Sequence, residues 1–112
     1  MLEYFRILYS DEVETFLDSL DDKARRKILY NIDKAKLTLD SKLLKKLTEE
    51  IWVFRTKFNT IQYRLFAFWD KSDNKHTLVI ATHGIVKKSQ KTLKAEIKKA
   101  MKIRHIYFEN DF

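Results

Sequence analysis

Two arginines have the type and spacing to do chemistry. Arg55 lies in the alternating run Ile51–Phe58 and Arg64 in the run Ile61–Trp69, both of which read as β-strands. Asn59-Thr60 between them reads as a two-residue turn. With that turn, Phe58 faces Ile61, Lys57 faces Gln62, and Arg55 faces Arg64. Like charges opposite each other destabilise a strand pair by some tenths of a kcal/mol, and an anion between them reverses the sign. Guanidinium groups match phosphate oxygens in bidentate geometry, so the pair reads as a phosphate clamp, with Lys57 and Gln62 next along the same face. The plainer alternative is that both arginines face solvent and splay apart. A turn of odd length would also break the register.

A second candidate element is His83-Gly84-Ile85-Val86-Lys87-Lys88-Ser89-Gln90-Lys91. Gly84, the only glycine in the chain, can adopt backbone angles that other residues adopt only at a cost, so an unusual bend is expected there. Ser89 is placed to cap a following helix, whose N-terminal amides attract phosphate, and Lys87 and Lys88 flank that end. A plain solvated lysine run is the alternative. His83 is the best-placed group for proton transfer, because a free imidazole titrates near working pH; His76 and His105 read as idle.

RNA cleavage through the 2′-hydroxyl needs a base to take a proton, cations to stabilise the phosphorane and an acid to protonate the leaving oxygen. Arginine and lysine supply the second need directly. They supply the others only where cationic neighbours lower a lysine pKa. Tyr63, Trp52, Trp69 and Tyr107 are able to stack on bases, although core packing is their more ordinary role. The histidines form no pair at helical spacing and cysteine is absent, so neither a transition-metal site nor thiol catalysis is expected. No glycine-rich phosphate loop and no Ser/His/Asp arrangement is present, and no cofactor is expected.

The elements that must position these groups follow from periodicity. Leu2–Tyr9 reads as a strand. Ser10 or Asp11 caps a helix, with Asp11 and Glu14 at capping-box spacing, and Val13, Phe16, Leu17 and Leu20 form its apolar stripe. Asp21-Asp22 ends that helix and caps a second, over residues 23–39, with Ala24, Ile28, Ile32, Ala35 and Leu39 inward. Residues 40–50 read as a connector tacked down by Leu43, Leu44 and Leu47. Strands follow at Ile51–Phe58, Ile61–Trp69 and Thr77–His83. The last helix runs from about Ser89 to Arg104, with Leu93, Ile97, Ala100 and Met101 inward and Lys91, Lys94, Lys98 and Lys102 outward. The expected fold is α+β in the order β-α-α-β-β-β-α. Three strands form an antiparallel meander, the first strand joins at an edge, and residues 1–112 make one domain.

Composition narrows the partners. The net charge is +7 and 35% of residues are charged. Acids dominate up to Asp22 (Glu3, Asp11, Glu12, Glu14, Asp18, Asp21 and Asp22 against Arg6). Bases dominate from His83 to His105 (Lys87, Lys88, Lys91, Lys94, Lys98, Lys99, Lys102 and Arg104 against Glu96). Charge segregated in this way implies a basic working surface for nucleic acid, the ribosome or an acidic protein. Lys57, Gln62, Lys91, Lys94 and Lys98 are its expected RNA contacts. No apolar run approaches the roughly 20 residues of a membrane span, and Met1–Arg6 has no leader pattern. A cytoplasmic location is expected.

Leu47 with Ile51-Trp52-Val53-Phe54-Arg55, Tyr63-Arg64-Leu65-Phe66, His83-Gly84 with Lys87-Lys88-Ser89-Gln90-Lys91-Thr92, and Glu96-Ile97 with Ala100 resemble the phage-derived, HigB-like branch of the RelE/ParE toxins. The order and spacing match along most of the chain, and the Lys-Lys-Ser-Gln-Lys-Thr element is the most specific piece. Where the family often has Glu, Phe and Pro, this chain has Val53, Ile85 and Leu93; the first change weakens any role for a carboxylate base. The resemblance implies the RelE-like fold and a toxin that cleaves mRNA in the A site of the 30S ribosomal subunit. It also implies neutralisation by a cognate helix-turn-helix antitoxin. By the same resemblance Arg55, Arg64 and Lys87, with Lys88, match the basic catalytic positions, and His83 lies beside them. Two other readings stay open: a non-catalytic double-stranded RNA-binding module and a ParE-like gyrase inhibitor.

Overall fold

The computed structural model describes residues 4–71, 77–80, 84–87 and 94–109. Its elements run β1 (Arg6–Tyr9), α1 (Asp11–Asp18), α2 (Asp22–Thr38), β2 (Leu44–Lys46), β3 (Ile51–Phe58), β4 (Ile61–Asp70), β5 (Thr77–Ile80), β6 (Gly84–Lys87) and α3 (Lys94–Glu109). The strands form one mixed sheet in the order β1-β5-β4-β3-β2, with β6 also paired to β4. The expected α+β meander is present: β3, β4 and the β5/β6 segments are antiparallel neighbours. β1 joins at the edge, parallel to β5.

Local chemistry sets the helix ends. The Ser10 side chain accepts a hydrogen bond from the Val13 amide (3.1 Å), and Asp11, Glu12 and Glu14 follow in the first turn, where the helix dipole favours acids. With Ser10 as the cap, the third helical residue is Val13, so the expected Asp11/Glu14 capping box does not form. Asp21 caps α2 by accepting from the Lys23 amide, and Leu39 ends it with a left-handed φ of 53°.

The sheet separates two apolar layers. On one face Phe54, Tyr63, Leu65 and Ala67 pack with Phe5, with Val13 and Leu17 of α1, and with Ala24, Ile28, Ile32 and Ala35 of α2; Trp52, Phe58 and Trp69 lie against the same cluster. On the other face Ile51, Val53, Phe66 and Phe68 pack under Ala100 of α3, flanked by Ile97, Met101, Ile103 and Tyr107. The period of two along β3 and β4 therefore sorts residues between α1/α2 and α3. Phe66 and Phe68 are fully buried, so truncating either to alanine is expected to cost about 3–5 kcal/mol.

Three expectations change. The connector contains an edge strand, because Leu44 is buried opposite Phe54 and carries Lys45 and Lys46 into pairing with Val53 and Trp52. The last meander strand changes register: Phe68 pairs with Val79 but Leu65 pairs with Gly84, so three steps along β4 face five along its partner. Gly84 itself begins β6 without a positive φ, so the expected unusual bend does not fall on it. Finally, α3 extends to Glu109, beyond the expected Arg104, because Tyr107 continues the inward face over Phe68. Its expected start at Ser89 lies outside the described residues.

Candidate active site

The turn between β3 and β4 creates the site. Asn59 and Thr60 have φ of 50° and 65°, the mirror-image two-residue turn whose twist matches that of the strands. This gives the register Phe58↔Ile61, Lys57↔Gln62, Thr56↔Tyr63 and Arg55↔Arg64. Such a turn closes on a hydrogen-bonded pair and the two kinds of pair then alternate, which makes Arg55 and Arg64 a non-hydrogen-bonded pair. In that kind of pair the Cα atoms are close, about 4.5 Å, and the side chains adjacent. The backbone agrees, since the Arg55 amide donates away from β4 to the Leu43 carbonyl (2.8 Å).

Arg55, Lys57, Gln62 and Arg64 share the sheet face that α3 covers, but they lie beyond its cover, towards the turn. Two of them are held from the side. Arg55 Nη2 donates to the Ser41 carbonyl (3.1 Å) and Arg64 Nη2 donates to Gln62 Oε1 (2.9 Å). The Nε atoms of both arginines are buried and have no hydrogen-bond partner among the described residues. Burial, and then the neighbouring Arg55 charge, lower the pKa of Arg64. Unmade hydrogen bonds of this kind cost on the order of 1–3 kcal/mol each, and an anion held between the two guanidinium groups would relieve their repulsion.

The pair opens on a cleft of about 480 Å³ lined by Asn31, Lys42, Leu43, Arg55, Thr56, Lys57, Gln62, Tyr63 and Arg64. Four of these carry cationic side chains and none carries a carboxylate, so the cleft suits a phosphate or its more highly charged transition state. Lys87 is register-paired with Gln62, which is itself paired with Lys57, while Ile85 is paired with Arg64. The backbone thus places Lys57, Gln62 and Lys87 in one row across three strands.

Of the residues expected at the site, Arg55, Arg64, Lys57 and Gln62 come together in the cleft, with Lys87 adjacent in register. Lys94 and Lys98 are exposed on α3 and do not line it. His83, Lys88 and Lys91 lie outside the described residues. The candidate base-stacking residues belong to the core: Tyr63 is buried, Trp52 and Trp69 meet edge to face under α1/α2, and Tyr107 donates to Asp70 Oδ2 at 2.5 Å. No group of His, Asp or Glu suited to hold a metal occurs among the described residues.

The sequence reading missed Asn31, Thr56 and Lys42. Asn31 falls on the inward stripe of α2 between Ile28 and Ile32 and is buried. Its Nδ2 donates to Thr56 Oγ1 (3.1 Å), a buried contact between residues 25 positions apart. A polar residue on an apolar stripe was the available signal. Nothing in the pattern around Lys42 marked it.

Across 90% of its length the chain is similar to a solved structure of the Escherichia coli toxin RelE, an arginine-to-alanine double mutant in the free state. The TM-score is 0.60 over 97% of that chain, at 14% identity. The architecture, a mixed sheet with two helices on one face and one on the other, is therefore the RelE fold. Residues 15–105 match the model of the phage-derived Gp49-like protein family, and the chain belongs to that family. No curated protein matches it significantly.

Proposed function

We propose that the chain is the toxin of a type II toxin-antitoxin pair and acts as a metal-independent mRNA endoribonuclease on the translating ribosome. The Arg55–Arg64 pair carries this reading: two opposed guanidinium groups with unsatisfied buried Nε atoms, at the head of a cleft without carboxylates. The RelE fold and Gp49-like family membership support it.

In the proposed reaction a base takes the proton of a ribose 2′-hydroxyl and the oxygen attacks the adjacent phosphorus. An acid then returns a proton to the departing 5′-oxygen. The products are a 2′,3′-cyclic phosphate and a 5′-hydroxyl. Arg55 and Arg64 hold the non-bridging oxygens, whose charge grows in the phosphorane. Lys57 and Lys87 are the proposed proton carriers, with His83 and Lys88 as further candidates from the sequence. The proposed partners are mRNA in the A site and a helix-turn-helix antitoxin.

A ParE-like gyrase poison would share this fold. Expression without an antitoxin separates the two activities. The account predicts growth arrest with rapid loss of protein synthesis, relieved by Arg64→Ala. Arrest with inhibited DNA supercoiling and continuing protein synthesis would identify the gyrase activity instead.

A further inference from the structure

The turn that leads into β2 grips Arg55 from the side away from Arg64. β2 is the neighbour of β3 opposite β4, and its Leu44 pairs with Phe54, so the residues just before Leu44 run beside Arg55. The Arg55 amide donates to the Leu43 carbonyl (2.8 Å), and Arg55 Nη2 donates to the Ser41 carbonyl (3.1 Å). Asp40 holds this turn together. Its carbonyl accepts from the amides of Leu43 (2.9 Å) and Leu44 (3.0 Å). Its carboxylate Oδ1 accepts from the Lys42 amide (2.9 Å), as in an Asx turn. The Ser41 carbonyl and the Lys42 amide belong to one planar trans peptide group, so they point in opposite directions. Asp40 therefore fixes one end of the same peptide plane that Arg55 holds at the other. The contacts run from carboxylate to amide, across the peptide to the carbonyl, and on to the guanidinium.

From this arrangement we infer that Asp40 is a positioning residue that orients the Arg55 guanidinium through the Ser41–Lys42 peptide. The inference rests on the proposed phosphate clamp and assigns the group that preorganises one of its arms. An arginine side chain is rich in rotamers, and the charge of Arg64 favours those that swing Arg55 out to solvent. A hydrogen bond on the outer side of β3 holds the guanidinium at the cleft and leaves the space towards Arg64 for an anion. A carboxylate bound at the amide end also polarises the peptide, which makes its carbonyl a better acceptor for a cation. Asp40 does not itself line the cleft, so it acts on the anion through Arg55. Holding a charged donor in place before the ligand arrives is what gives such a group its effect.

The test is a titration of the purified chain with inorganic phosphate at constant ionic strength, with the arginine side chains followed by nitrogen NMR. In the wild-type chain, rotation within the Arg55 guanidinium is expected to be restricted. Asp40→Ala should free that rotation and weaken phosphate binding by about 5- to 10-fold, the range of one net hydrogen bond. Asp40→Asn, whose amide oxygen still accepts from Lys42, should restore both. On an Arg55→Ala background, Asp40→Ala should change the affinity no further, because the two residues act as one unit. Asp40→Glu, which keeps the charge but displaces the acceptor by one methylene, replaces Asp40→Ala if that variant does not fold, and the same loss is expected. Wild-type affinity in Asp40→Ala, tighter binding in both the alanine and asparagine variants, or an equal loss on the Arg55→Ala background overturns the inference and leaves the clamp standing. Failure of the wild-type chain to bind phosphate overturns the clamp, and the inference with it.

Discussion

Arg55 and Arg64 face each other across β3 and β4 as a non-hydrogen-bonded cross-strand pair, the arrangement that brings two side chains closest in an antiparallel sheet. A folded protein gains nothing from opposing two cations there. Removing one charge should therefore help stability while harming function. Arg64→Ala is expected to leave the melting temperature unchanged or to raise stability by up to about 1 kcal/mol. RNA cleavage should fall by roughly 100- to 1,000-fold, the cost of removing one oxyanion-stabilising donor. Thermal denaturation and a cleavage assay on the same preparation check both halves.

Anions should stabilise the fold selectively. Phosphate or sulfate is expected to raise the melting temperature more than chloride does at equal ionic strength, since a ligand bound only by the native state shifts unfolding. The difference should vanish in Arg64→Ala. The pH dependence has a definite sign. The pKa of Arg64 is lowered by burial and by Arg55, so the penalty of holding its charge is fully present below its folded pKa. That penalty is relieved only as pH rises through this pKa towards the ordinary arginine range.

The turn that sets the register is strained at one residue. Thr60 is β-branched and holds a φ of 65°, where a residue with a Cβ is disfavoured by about 1–2 kcal/mol. Thr60→Gly is expected to stabilise the protein by about 1 kcal/mol in chemical denaturation and to leave activity intact. Inserting one glycine between Asn59 and Thr60 should abolish activity, because Arg55 would lose its place opposite Arg64.

Tyr9 offers an alkaline marker of the packing of β1. Burial, and then the charge of Asp33, raise its pKa from 10.0 to about 12. The group is an acid with a raised folded pKa, so its contribution to stability is complete below pH 10 and is lost as pH rises through about 12. Titration by tyrosinate absorbance should show one tyrosine ionising late, and Tyr9→Phe should remove that component and flatten the alkaline limb of the stability curve.

The legible parts of this molecule were those written in short-range pattern. The alternation of Ile51–Phe58 and Ile61–Trp69 around Asn59-Thr60 sufficed for the cross-strand pair, because an even turn leaves a single register. The stripes of α1 and α2 were equally plain. Leu44-Lys45-Lys46 was not legible as a strand, since one buried leucine with two lysines carries no clear alternation. The register change between Val79 and Gly84 was hidden because two extra residues leave the alternation in phase. Asn31 and Lys42 reach the cleft only through tertiary placement.

The most direct measurement uses purified chain, ribosomes programmed with a defined mRNA, and chemical analysis of the new RNA ends. The account predicts that the wild-type chain cleaves the mRNA to give a 2′,3′-cyclic phosphate and a 5′-hydroxyl, and that Arg64→Ala or Arg55→Ala gives little or no cleavage. Undiminished cleavage by both arginine variants, or an intact mRNA with the wild-type chain, would contradict it.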